Sequence, residues 1–177
     1  MWANARCFFV QALIGLAALL VALPARCQDL PEYRLKAAFL YNFASFTEWP
    51  GEVGATLNLC LYGPDMFGAE IDALQGKKVG ERSLMVQRKT VPESLKGCQI
   101  VFVSNAAMAQ LARVQESLRG MPVLTVADSA GAAQQGAALN MSVAQGRITF
   151  EANLTAARSA RLQLSSKLLR LATEVHQ

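Results

Sequence analysis

The run Gln99 to Ser104, QIVFVS, constrains this chain most, because Ile100 to Val103 are apolar at consecutive positions. A strand wetted on one side alternates apolar and polar residues, so an uninterrupted run belongs to a strand covered on both faces. A sheet with helices packed against each side gives that cover. Strands and helices should therefore alternate along the rest of the chain.

They do. Thr56 to Tyr62 alternates, with Leu57, Leu59 and Leu61 on one face and Asn58 and Cys60 on the other. Gly63-Pro64-Asp65 turns this strand into a short helix, Met66 to Leu74, with Asp65 as its cap. Leu84 to Gln87 reads as a second strand. Asn105 is placed to cap a helix running to about Leu118, which Gly120 closes, and Pro122 to Ala127 gives the next strand. Leu139, Met141 and Val143 alternate, as do Ile148, Phe150 and Ala152, and Ala144-Gln145-Gly146 links them as a hairpin. Asp128 to Gly136, DSAGAAQQG, reads as a small, polar, mobile loop. Leu154 to Val175 reads as one long helix with a stripe of Leu164, Leu168, Leu171 and Val175, capped by Asn153 or Thr155. The expected fold is a single-domain α/β sandwich. Its central sheet is mixed and largely parallel, flanked by helices, with a terminal hairpin and a long C-terminal helix.

The segment before the first strand is rich in aromatic residues. Asp29, Pro31 and Glu32 form a helix start, and Leu35, Phe39, Asn42/Phe43 and Phe46 recur at steps of three or four until Pro50-Gly51. Phe39, Phe43, Phe46 and Trp49 read as core. Tyr41, Asn42 and Glu48 lie off that stripe and are candidates for a partner surface.

Residues 1–27 read as an export signal: Arg6 gives a positive start, Cys7 to Val21 is apolar apart from Gln11, and Pro24-Ala25-Arg26-Cys27 ends it. The apolar stretch falls short of the about 20 residues that a membrane-spanning helix needs. Cleavage after Ala25 or after Cys27 both fit, and the domain occupies residues 28–177. Arg26 makes Cys27 a poor lipid acceptor. Removing the leader takes away Arg6 and Arg26, so the formal charge falls from +4 to +2. The remaining Lys and Arg residues are scattered, which argues against nucleic acid as a partner.

Catalytic patterns are weak. The one histidine, His176, sits next to the end of the sequence, where fraying is the default. No nucleophile elbow, phosphate loop or metal-ligand spacing stands out, so neither an enzyme nor a cofactor or metal is expected.

Four blocks, KAAFLYNFASFTEWP from Lys36, LCLYGPDMFG with Cys60, CQIVFVS with Cys98, and GRITFEANLTAARSARLQLSSKLLRLA from Gly146, resemble the ordered signatures of the YfiR/HmsC family. Some members carry a second cysteine pair in the later half, which this chain lacks. The resemblance implies a periplasmic, non-enzymatic negative regulator. It would bind the periplasmic part of a membrane-bound diguanylate cyclase, restraining cyclic-di-GMP synthesis and biofilm formation. It also implies a homodimer, and release through a redox cue or capture by an outer-membrane lipoprotein.

With cleavage after Cys27, Cys60 and Cys98 form an even pair for an oxidising compartment, and neighbouring strands would bring them within bonding distance. The bridge would serve either as a static staple or as a redox switch. In the last block Asn153 reads as a helix cap, and Glu151 with Arg158 or Arg161 as a surface ion pair or a charged partner contact. A rival reading is a periplasmic small-molecule sensor. Its crevice would lie at the carboxyl ends of the strands, lined by Gly63 to Phe67, Ser104-Asn105 and Asp128-Ser129.

Overall fold

A computed structural model describes residues 29–177; the export-signal reading of residues 1–27 lies outside the described residues. The chain begins with helix α1 (Asp29–Ser45), followed by β1 (Thr47–Glu48), β2 (Thr56–Tyr62), α2 (Ala69–Asp72), β3 (Lys78–Val79) and β4 (Arg82–Lys89). Next come β5 (Ile100–Val103), a 3-10 helix (Asn105–Gln110) leading into α3 (Leu111–Ser117), β6 (Leu124–Ala127) and the hairpin strands β7 (Leu139–Ala144) and β8 (Arg147–Asn153). The last elements are α4 (Leu154–Ser159), β9 (Gln163–Leu164), α5 (Ser166–Leu169) and β10 (Glu174–His176).

Among the described residues, eight strands make one mixed, mostly parallel sheet in the order β10-β8-β7-β6-β5-β2-β4-β3, and β1 pairs with β9 in a separate small sheet. The antiparallel pairs in the large sheet are β3 with β4 and β7 with β8. At the hairpin tip Gln145 (φ 51°) and Gly146 (φ 72°) both take the left-handed conformation that a tight two-residue turn demands.

All four residues of β5 are buried, as the apolar run requires, and they divide between two cores. Ile100 and Phe102 join Leu57, Leu59, Leu61, Leu124 and Val126 under α1. Val101 and Val103 join Cys60, Tyr62, Leu111 and Val114 under α3. Helices therefore cover both faces of the sheet, as an α/β sandwich requires.

In α1 the aromatic side meets the hairpin. Phe43 is fully buried, its ring 5.1 Å from Phe150 and 5.8 Å from Phe39 in edge-to-face contacts. Leu35, expected on this side, is instead 44% exposed. The helix stops before Pro50-Gly51, because the Ser45 and Thr47 hydroxyls donate to the Tyr41 and Phe43 carbonyls and Thr47-Glu48 leaves to pair with β9.

Cys60 and Cys98 are disulfide-bonded, with an S–S distance of 1.99 Å and Cα atoms 6.0 Å apart. Both are buried.

The expected C-terminal helix from Leu154 to Val175 does not form. Asn153 caps a helix as anticipated, its Oδ1 accepting from the Ala156 N–H at 2.8 Å, but α4 ends at Ser159. Arg161 adopts φ 57°, which ends the helical path and turns Leu162 into the core. The chain then pairs with β1, makes one turn capped by Ser165, and returns as β10 parallel to β8. His176, expected to fray, is thus part of an edge strand, opposite Asn153.

Candidate functional site

Among the described residues, cavities that adjoin the sheet include two of note. The larger, about 310 Å³, is lined by residues that include Gln115, Leu118, Arg119, Met121, Asn153 and Ser159. Its main polar side chains are already engaged. Gln115 donates to the Gln135 carbonyl, Arg119 pairs with Glu116, and Asn153 caps α4 while donating to the Ala133 carbonyl.

The smaller cavity, about 190 Å³, is lined by Tyr33, Met66, Phe102, Ser104, Asn105, Ala106 and Asp128. It lies at the carboxyl ends of β5 and β6, next to the turn that leaves β2. β2 has β4 on one side and β5 on the other, so the strand order reverses direction between β2 and β5. In parallel α/β sheets such a switch point opens a crevice where loops diverge. The crevice residues expected from the sequence, Met66, Ser104, Asn105 and Asp128, do come together here.

Each lining residue is held by a local device. Asp65 Oδ1 accepts from the N–H groups of Phe67 (2.7 Å) and Gly68 (3.2 Å), which fixes the turn carrying Met66. α2 is consequently one short turn, Ala69–Asp72, rather than a helix from Met66 to Leu74. Gly63, at φ 100°, lies so close to β5 that a Cβ there would fall 2.4 Å from Ser104 Oγ. Asn105 does not cap its helix; its Oδ1 accepts from Ser129 Oγ at 2.9 Å. The segment after Asp128, read as a mobile loop, is packed instead. Ala132 and Ala133 are fully buried and Asn140 Oδ1 accepts from the Ser129 N–H.

Sequence reasoning missed Lys36. Its Nζ lies 2.7 Å from Asp128 Oδ2 and 2.6 Å from Glu32 Oε1, and its side chain is 5% exposed. Burial is the strongest single influence on this ammonium and pulls its pKa down. Hydrogen bonds to Asp128 and Glu32, with the charges of Asp128 and Tyr33, outweigh burial and hold it above the ordinary lysine value. The Glu32-Lys36 spacing of four was the signal available in the sequence; Asp128, 92 residues away, was not.

The candidate partner residues fall in three places. Asn42, Glu48, Arg158 and Arg161 are exposed around the small β1–β9 sheet, where Arg161 pairs with Glu52 rather than with Glu151. Tyr41 is half-buried near β3, where its hydroxyl donates to the Lys78 carbonyl at 2.8 Å and Lys77 lies over its ring. Glu151 is half-buried on β8, with Oε2 3.6 Å from His176 Nε2. Among the described residues, no group of three or more His, Cys, Asp or Glu side chains gathers as a metal site, and no helix is long and apolar enough to cross a membrane.

No curated protein matches this chain. Among solved structures, a conserved domain protein from Vibrio cholerae O1 biovar El Tor superposes with a TM-score of 0.51 at 7% identity. The match covers 81% of this chain and 60% of that one, and it supports the fold alone. The YfiR/HmsC-like family model matches residues 33–173, from Tyr33 at the cavity to Thr173 before β10. This chain, with its two-faced sheet, its bonded Cys60 and Cys98 and its aromatic first helix, belongs to the YfiR/HmsC-like family.

Proposed function

We propose that the protein is a periplasmic negative regulator. Once the leader at residues 1–27 is removed, it docks onto the periplasmic part of a membrane-bound diguanylate cyclase and restrains cyclic-di-GMP synthesis and biofilm formation. The family match over residues 33–173 carries this reading, since the family is one of periplasmic regulators. The bridged, doubly covered sheet supports it by providing a stiff body that can present surface residues.

The exposed corner around β1 and β9 is the best contact surface in this reading. It offers both signs of charge, Glu48 and Glu52 against Arg158 and Arg161, on short segments held by the sheet behind them. Such charges fix partner choice and docking orientation more than they add affinity. Tyr41 and Glu151 make internal contacts, so they act in support of that surface. A homodimer and capture by an outer-membrane lipoprotein complete the proposal.

The test is a pull-down from membranes with the purified protein, followed by a cyclase assay of the captured material. Recovery of a cyclase whose activity falls on adding the protein supports the reading. Unchanged cellular cyclic-di-GMP after deletion of the gene overturns it.

A further inference from the structure

Two residues that line the smaller cavity each carry a buried oxygen with no hydrogen-bond partner: Ser104 Oγ and Asp128 Oδ1. Ser104 is 5% exposed and the Asp128 side chain 6%. Buried polar groups are nearly always paired, so two orphans on one cavity call for a donor that enters from outside. Gly63 is part of the same construction, since any Cβ there would close on Ser104 Oγ.

The chemistry of that donor follows from its surroundings. Among the described residues, Lys36 is the one cation in the cluster and faces two carboxylates, Asp128 and Glu32, which leaves the group one charge negative. Both orphans accept hydrogen bonds, and Asp128 can do nothing else when ionised. Tyr33 and Phe102 give the cavity aromatic walls, Phe102 being held edge-on by Phe67 at 5.0 Å, and Met66 stands 59% exposed. An anion would be repelled. A hard metal ion would want about six oxygens. A cation with N–H donors and a small apolar body satisfies every element at once.

We propose that the cavity at the carboxyl ends of β5 and β6 is a binding site for a small cationic amine bearing one ring. The ammonium donates to Asp128 Oδ1 and Ser104 Oγ, and the ring lies among Tyr33, Met66 and Phe102. This goes beyond the regulator reading and does not depend on it, because the readout is binding to the isolated protein.

Benzylamine is the probe, with benzyl alcohol and benzoate as its neutral and anionic counterparts, each titrated by calorimetry and by the shift in melting temperature. Benzylamine should bind and raise the melting temperature, benzyl alcohol should bind more weakly, and benzoate should do neither. Ser104→Ala breaks no hydrogen bond of the unliganded fold, so it should melt like the parent protein and bind benzylamine about tenfold more weakly. Met66→Trp, at an exposed position beside the cavity, should abolish binding. Asp128→Asn should lose more than Ser104→Ala, but it also disturbs Lys36, so the serine variant decides. Absence of benzylamine binding, as an ordered water in the cavity would produce, overturns the proposal. So does equal binding of benzoate, or binding that Ser104→Ala and Met66→Trp leave unchanged.

Discussion

The cavity wall and the β1–β9 corner each contain an ion pair, and the two pairs are opposites in setting. Lys36 and Asp128 meet with side chains 5% and 6% exposed, whereas Arg161 and Glu52 meet at 54% and 55%. The same chemistry is held in place at one site and left in water at the other. Burial makes a pair indispensable without making it strongly stabilising, because the desolvation cost offsets much of the attraction. Exposure makes a pair nearly irrelevant to folding and leaves its charges available to another molecule.

The largest effect should come from breaking the buried pair. Lys36→Met leaves the buried Asp128 carboxylate without its cation and should cost about 3–5 kcal/mol, measured by denaturant unfolding. Replacing both members, Lys36→Met with Asp128→Leu, should recover much of that loss. If the single variant is no less stable than the parent, the pair is not the keystone its burial implies.

Next is the covalent tie. Cys60→Ser with Cys98→Ser opens a loop of 38 residues and should remove roughly 3–4 kcal/mol on the chain-entropy view. Because both sulfurs are buried, a static staple is the reading this geometry favours. Full cyclase restraint by this variant, assayed where it is still folded, would rule out the redox switch, and lost restraint would support it.

A pH scan separates the two ion pairs by sign. The Lys36 pKa is raised in the fold, so its contribution is complete below the ordinary lysine value of about 10.4 and is lost as pH climbs through the raised value. Alkaline destabilisation should therefore shrink in Lys36→Met with Asp128→Leu. Glu52 is held below the ordinary glutamate value first by its own backbone N–H, against slight burial, with Arg161 assisting. Its contribution would be present above that ordinary value and vanish as pH falls through the lowered one. Screening by solvent should make this acid limb undetectable, and Glu52→Gln should retrace the parent curve.

The smallest effect on the fold should be at Arg161. Arg161→Lys keeps the charge and should leave the melting temperature unchanged, although Arg161 sits at φ 57°, a conformation costly for any non-glycine residue. Arg161→Glu reverses the charge and should weaken cyclase restraint at the same melting temperature. Restraint unchanged by this reversal would remove the corner from the contact surface. Tyr41 is a poorer probe, since Tyr41→Ala would also disturb packing against the core; Tyr41→Phe isolates its hydroxyl.

The sheet was legible because its signals are local. β2, β5 and the hairpin announce themselves through alternation, an unbroken apolar run and a turn sequence. The C-terminal segment was not. Leu164, Leu168, Leu171 and Val175 keep helical spacing, yet the helix yields to distant partners: Ser165 N–H donates to the Phe46 carbonyl and Thr173 N–H to that of Phe150. Leu171, which a helical stripe would bury, is 71% exposed. The cavity was half legible, since turn residues at strand ends mark the crevice. Its lysine was hidden, because a lysine in an aromatic helix reads as solvated until the carboxylate across the fold is known.

The disulfide has a mechanical corollary. Cys60 lies within β2 and Cys98 two residues before β5, so the bond rivets these two neighbouring strands together on the sheet face opposite Phe102. A guest wedged in at Ser104 and Asp128 cannot prise those strands apart along their length. Any movement it provokes must pivot about the rivet and show itself in α1 and the Asp128 segment, which join across the opening through Lys36.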